Sequence, residues 1–159
     1  MNLKPDYTYQ NLESIPISIF VEQNIACILV DIDNTITSVD EVEIEQAKQK
    51  WLSDVQKHVR VILVSNNHGS RIQQISKSLS LETFSFALKP ISRVYRYVKK
   101  KYNVNKKQVA VIGDQLLTDI LGGKLQGFKT IYVEPISQKD TLFTTITRAF
   151  ERMIEKKWK

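Results

Sequence analysis

The chain has one cysteine, Cys27, among its 159 residues, so no internal disulfide can form. Cys27 stands inside an apolar run and reads as a buried, inert thiol. His58 and His68 are the only histidines, too few for a histidine-based metal cluster, and His68 reads as a loop residue. No stretch of about 18 apolar residues offers a membrane span. The amino-terminal region holds Asp6 and Glu13 and no uninterrupted apolar segment. No secretory signal is therefore expected, and the expected location is the cytoplasm or an organelle interior, with peripheral membrane attachment left open. Gly122-Gly123 lacks the spacing of a dinucleotide or Walker loop and is expected to end a helix. There is no internal repeat, low-complexity tract or linker. With 42% hydrophobic residues, the chain can bury one substantial core, and residues 1–159 are expected to form a single domain.

What is present is an ordered series of apolar runs that end in polar residues. Ile25 to Val30 reads as a strand buried on both faces, and it runs into Asp31-Ile32-Asp33-Asn34-Thr35. Alternation along an extended chain lets Asp31 and Asp33 face one site while Ile32 points away. At the carboxyl end of a strand in an open α/β sheet, such acids meet a ligand crevice. Val59 to Val64 ends at Ser65-Asn66-Asn67, Phe84 to Leu88 precedes Lys89-Pro90, and Val109 to Ile112 runs into Gly113-Asp114, with Asp119 five positions on. Taken singly, each has an ordinary use: an Asx turn, a helix cap, a solvated lysine, first-turn charges on a helix dipole. It is their order that is unusual.

That order resembles the four motifs of the haloacid dehalogenase (HAD) superfamily of phosphatases. More narrowly, it is similar to the small YqeG-type members of subfamily IIIA, whose relatives include mitochondrial and plastid phosphatidylglycerophosphate phosphatases. The likeness spans about residues 25 to 134. Leu3-Lys4-Pro5 and the Leu12 to Ile15 stretch form a weaker lead-in, and Ile36 stands where the family usually has leucine. The resemblance implies a phosphatase that works through an aspartyl-phosphate and Mg2+.

The chemistry calls for these residue types. An aspartate nucleophile splits phosphate ester hydrolysis into two easier displacements, and an acid two residues away can protonate the leaving alkoxide and then deprotonate water. Asp31 is expected to be the nucleophile and Asp33 the general acid/base. A carboxylate approaching a phosphate dianion needs a hard cation and a fixed positive side chain. Asp31, Asp114 and a backbone carbonyl near Asp33 are the expected Mg2+ ligands, and Lys89 the positive side chain. Ser65, with the backbone N–H of Asn66, is expected to donate to a phosphoryl oxygen, and Asn66 and Asn67 to contact substrate. Thr35 and Asp119 are expected to support from behind, Asp119 by orienting Lys89 or a metal-bound water.

Helices are expected at about 41–57, 70–79, 91–102 and 115–125, with a long terminal helix from Asp140. With five strands they make a three-layer, doubly wound, mainly parallel α/β domain. The segments between motifs are each just long enough for one helix and one strand, so there is no room for the cap that HAD enzymes commonly carry. An open site suits a phosphate presented on something large: a protein, a nucleic acid end or a membrane.

Residues 89 to 107 hold eight basic side chains and no acid within a net charge of +6. Ile91, Val94, Tyr95, Val98 and Tyr102 are expected to form the inner face of that helix, leaving the cations as a solvated stripe or as a contact for anionic phosphate. Lys99, Lys100 and Lys101 are the expected contacts. A phosphoryl-accepting receiver domain is the competing class, but a receiver carries its acceptor Asp after the third strand and its Lys after the fifth, whereas here the Lys follows the third. A fold that has lost activity is the other alternative, and every expected catalytic position is occupied. The substrate expected is phosphatidylglycerophosphate at a membrane surface, with soluble, protein or nucleic-acid phosphates as the alternative.

Overall fold

A computed structural model of the chain describes residues 3–91 and 93–137. Six strands, β1 (Tyr7–Tyr9), β2 (Cys27–Asp31), β3 (Arg60–Val64), β4 (Glu82–Phe84), β5 (Val109–Gly113) and β6 (Lys129–Val133), form one sheet in the order β1-β6-β5-β2-β3-β4. Every pairing in it is parallel. The chain winds outward from β2 through β3 to β4, then crosses back to β5 and moves on to β6. The direction of winding therefore reverses beside β2, where an open sheet leaves a crevice at the carboxyl ends of its strands.

The unbroken apolar run of β2 follows from burial on both sides. Ile28 and Val30 join Val61, Leu63, Ala110 and Ile112 beneath α1 (Ser18–Glu22), α2 (Gln46–Val55) and α3 (Ser70–Leu79), with Phe20, Trp51, Leu52, Ile72 and Ile75 as the covering side chains. Cys27 and Leu29 face the other way, onto a cluster with Ile62, Val64, Val111, Phe128 and Val94, Tyr95 and Val98 of α4 (Arg93–Lys101). The three-layer, doubly wound, uncapped architecture is the one implied by the motif spacing. Between Asp31 and β3 lies the single helix α2, and between Ser65 and Lys89 lie only α3 and β4.

Several details differ from the sequence expectations. The sheet has six strands rather than five, because Tyr7–Tyr9 adds to the edge beside β6. Three residues are too short for a periodic signal, and the strand is pinned by Asp6, whose carboxylate accepts from the Thr130 backbone N–H and hydroxyl, both at 2.8 Å. The third strand ends at Phe84 instead of Leu88, because Phe86 and Leu88 take left-handed conformations that leave the sheet. The helix expected at about 41–57, α2, starts at Gln46, after an irregular acidic stretch. The segment after Asp114 is a π-helical turn, Leu116–Ile120, leading into α5 (Leu121–Gln126).

Gly122 and Gly123 lie inside α5 and do not end it. A Cβ on Gly122 would fall 2.4 Å from the Tyr95 hydroxyl, and one on Gly123 2.7 Å from Thr130 Cγ2; close packing selects both glycines. The helix stops at Gly127, with φ +71°. Ile91 precedes α4 and is exposed, outside the inner face formed by Val94, Tyr95 and Val98. The helix expected from Asp140 lies outside the described residues.

Candidate active site

Parallel register brings the motifs together. Asp31 pairs with Val64, Val30 with Ile112 and Val64 with Phe84, so Asp31, Ser65 and Asp114 leave the same edge of three adjacent strands. Lys89 returns to that edge from the loop after β4. Residues 31–38 are all buried. Ile32 and Ile36 root the turn in the core, and the Asn34 and Ile36 backbone N–H groups donate to Thr37 O at 2.8 Å and Ile32 O at 3.0 Å. Asn34 supplies the left-handed residue that this turn needs, at φ 60°.

The Asp31 side of the site is crowded with negative charge. Lys89 Nζ donates to Asp31 Oδ1 and, at 2.6 Å, to Asp119 Oδ1. Asp31 Oδ2 is buried with no hydrogen-bond partner. Asp31, Asp114 and Asp119 each offer an oxygen, and the three atoms lie within 4.8 Å of one another. Burial pushes the Asp31 carboxyl well above the usual carboxylate range. Lys89 opposes that shift, while Asp119, Asp114 and Asp33 reinforce it. Burial alone would lower Lys89, but Asp119 and Asp31 outweigh it and hold the ammonium charged. An orphaned buried carboxylate oxygen within an all-oxygen donor set of three acids, two of them on the Lys89 ammonium, fits a hard divalent cation. Gly113 makes room for this arrangement, since a Cβ there would sit 2.3 Å from Asp119 Cγ. The π turn aims Asp119 inward, consistent with such turns gathering at functional sites.

The Asp33 side is fully partnered. Ser65 Oγ donates to Asp33 Oδ2 at 2.6 Å and accepts from the Asn67 N–H at 2.9 Å. Arg71, in the first turn of α3, forms an ion pair with Asp33 Oδ1 at 2.5 Å. Its remaining nitrogens donate to Ser38 O and, at 2.7 Å, to Glu41 O, which ties the turn after the first motif to α3.

Of the residues expected from sequence, Asp31, Lys89, Asp114 and Asp119 meet in one cluster, and Asp33 and Ser65 meet in the other. Asp119 was expected to orient Lys89, and it does contact it; it also stands among the candidate ligands. The Asp33 carboxylate, by contrast, faces Ser65 and Arg71. Thr35 Oγ1 reaches Asp114 Oδ1 at 3.5 Å. Asn66, expected as a substrate contact, is exposed and turns its side-chain amide to the Lys89 backbone. Its Oδ1 accepts from the Lys89 N–H at 2.8 Å and its Nδ2 lies 3.5 Å from Lys89 O, bracing the loop that carries Lys89. The Asn67 backbone O accepts from Phe86 N at 3.0 Å. Arg71 was missed. Its one sequence signal was a cation at a helix N-terminus, where the helix dipole disfavours positive charge.

Comparison with known proteins places this geometry. A family model described as mitochondrial PGP phosphatase matches residues 1–137. A Bacillus subtilis protein named "Probable phosphatase YqeG" is 32% identical over 151 residues, covering 94% of this chain and 88% of its own. A Schizosaccharomyces pombe protein named "Probable phosphatidylglycerophosphatase, mitochondrial" is 30% identical over 146 residues, covering 77% and 70%. Among solved structures, the Bacillus subtilis HAD-hydrolase YfnB, bound to magnesium, superposes with a TM-score of 0.53 at 13% identity, covering 75% of this chain and 91% of that one. Among the described residues no helix is long and apolar enough to cross a membrane. With its motif residues gathered at the carboxyl edge of a HAD fold, the chain is a phosphatase and belongs to the mitochondrial PGP phosphatase family.

Proposed function

We propose that the chain is a Mg2+-dependent phosphomonoesterase that works through an aspartyl-phosphate on Asp31, with phosphatidylglycerophosphate as its substrate. The observation that carries the reading is the position of Asp31, which ends the central strand with one oxygen on Lys89 and the other buried without a partner. Asp31 attacks phosphorus as the ester P–O bond breaks, and Asp33, which must enter this step protonated, gives that proton to the departing alkoxide. Asp33 then takes a proton from water, whose oxygen attacks phosphorus and releases inorganic phosphate from Asp31. Lys89 neutralises phosphoryl and carboxylate oxygens throughout. Asp31, Asp114 and Asp119 would hold Mg2+, which supplies the charge that offsets repulsion between carboxylate and phosphate.

Arg71 and Ser65 hold the Asp33 carboxylate in register with Asp31, and Asn66 fixes the Lys89 loop. Support for the lipid substrate comes from the family match and from the uncapped site, which leaves a large phosphate carrier free to approach. The fitting compartment is the cytoplasm or an organelle interior, on the membrane face that holds the lipid. The test is phosphate release from phosphatidylglycerophosphate in mixed micelles and from a panel of sugar, nucleotide and protein phosphates, each with and without Mg2+. Preference for the lipid is expected. Comparable or faster turnover of soluble esters, with no lipid hydrolysis, would replace it with a phosphatase for soluble or nucleic-acid phosphates.

A further inference from the structure

The largest exposed apolar side chains near the site flank Lys89. Phe86 and Leu88 are each 60% exposed and Ile91 is 82% exposed, while Lys89 between them is buried. Ala87 packs inward against the cluster under α4, so the loop divides its side chains between core and solvent.

The loop is held in place. Phe86 N–H donates to Asn67 O at 3.0 Å, Ala87 N–H to Ser65 O at 2.9 Å and Lys89 N–H to Asn66 Oδ1 at 2.8 Å. The His68 ring meets the Phe86 ring edge to face at 5.6 Å. Phe86 and Leu88 have φ of 51° and 55°, a region that bulky L-residues rarely adopt. The fold thus fixes two large apolar groups outward in an unfavourable backbone conformation, beside the residue that neutralises phosphate.

Positive charge begins where the apolar tip ends. Along α4 the exposed cations are Arg93, Arg96, Lys100 and Lys101. Lys99 is half-buried, donating to Gln126 at 3.3 Å and lying 5.8 Å from the Phe128 ring, and Lys101 is paired with Glu82 at 2.8 Å. Two of the three lysines that the sequence offered as phosphate contacts are therefore committed within the molecule. The acid of β4, Glu82, is also taken up by Tyr97 and Tyr102. A helix that follows a parallel strand runs back from the carboxyl edge, so Arg93 lies beside the tip and Lys100 about 10 Å further along the axis.

We infer that Phe86, Leu88 and Ile91 form an apolar tip that enters the headgroup region of an anionic bilayer, with Arg93 and Arg96 against the lipid phosphates and the mouth of the site facing the membrane. An apolar tip rimmed by cations is the complement of an anionic interface. This inference rests on the phosphatase reading of the site and adds the surface by which it meets a lipid. It also predicts a gradient: Arg93→Gln weakens attachment more than Lys100→Gln, because an exposed charge is screened beyond about 8 Å at physiological salt.

Insertion is measured on vesicles that contain no phosphatidylglycerophosphate, so its outcome is separate from substrate identity. Cys27 is buried, so a cysteine placed by Ile91→Cys takes a polarity-sensitive fluorophore selectively. Ser53→Cys, on exposed α2, is the control. On phosphatidylglycerol vesicles the label at 91 should brighten and shift to the blue, the label at 53 should not, and 1 M salt should weaken the effect. The triple variant Phe86→Asn, Leu88→Asn, Ile91→Asn uses the side chain that best tolerates left-handed backbone. It should bind these vesicles about a hundredfold more weakly, while its turnover of a small chromogenic phosphate ester and its unfolding temperature stay near wild type. No change at position 91, or an equal change at both positions, would overturn the inference. So would dimerisation that the triple variant abolishes, without vesicle binding by wild type, which would give the tip to a second copy of the chain. Vesicle insertion without hydrolysis of phosphatidylglycerophosphate would uphold the tip and remove the proposed substrate.

Discussion

The two carboxylates of the first motif are two residues apart yet occupy opposite environments. Asp31 shares a buried pocket with Asp114 and Asp119 beside the Lys89 ammonium, and one of its oxygens has no partner. Asp33 has both oxygens satisfied, by the Ser65 hydroxyl and the Arg71 guanidinium. A half-site left short of positive charge is suited to receive a cation and an electrophilic phosphorus. A half-site whose hydrogen bonds are complete is suited to hold one carboxyl group still beside the reacting one.

The largest effect should come from Asp31→Asn, which removes the nucleophile. Phosphatase turnover is expected to fall by several orders of magnitude with the fold intact, and near-wild-type steady-state rates would refute the role. The same variant tests the crowding. Because burial and neighbouring acids raise the Asp31 pKa in the cation-free protein, the folded state holds a proton that the unfolded state has lost. The stability linked to this group is therefore full below about pH 3.9 and declines as pH rises through the folded-state value. In chelator, Asp31→Asn should be more stable than wild type at neutral pH, with the gain shrinking as pH falls. Thermal unfolding across pH checks the sign.

Metal removal comes next. Excess chelator should abolish turnover and Mg2+ restore it, and Mg2+ should raise the unfolding temperature of wild type but not of Asp114→Ala. Full activity in chelator would show that Lys89 alone balances the acids.

On the Asp33 side, Arg71→Leu should lower kcat about 10- to 100-fold with a smaller change in KM, and Arg71→Lys should recover part of the loss. A role confined to folding would instead lower stability and leave the kcat of the surviving folded protein unchanged.

The smallest effect concerns the other end of the same strand. Burial pushes the Cys27 thiol up to about 12, with Arg60 opposing and Glu82 adding, so the thiolate is scarce at neutral pH. A thiol reagent should leave activity untouched and react at the rate of unfolding. Rapid modification of the native protein would show that β2 opens.

Arg71 and Ile91 mark where reading the sequence stopped. Asp31, Asp33, Ser65 and Asp114 were legible because they end or closely follow apolar runs that form buried strands, and parallel strands deliver their next residues to one edge; Lys89 and Asp119 were legible only from their place in the order of the motifs. Arg71 lies six positions past Ser65, and nothing in periodicity aims a helix residue back across the site. Ile91 fits the apolar face of α4 by spacing, but the helix starts two residues later and leaves it exposed. The Gly122-Gly123 pair looked like a helix end because its partners, Tyr95 and Thr130, are distant in sequence.

The order of the motifs, the doubly wound parallel sheet and the absence of a cap were set by the sequence itself, because hydrophobic period and segment length are local properties. Which oxygen of Asp31 stays unpartnered, which cation holds Asp33, and which apolar side chains stand outside the core were decided only in the tertiary structure. Those outcomes depend on distances between residues 30 or more apart in the chain, as for Lys89 with Asp31 and Arg71 with Asp33, and on competition among charges that no local pattern records.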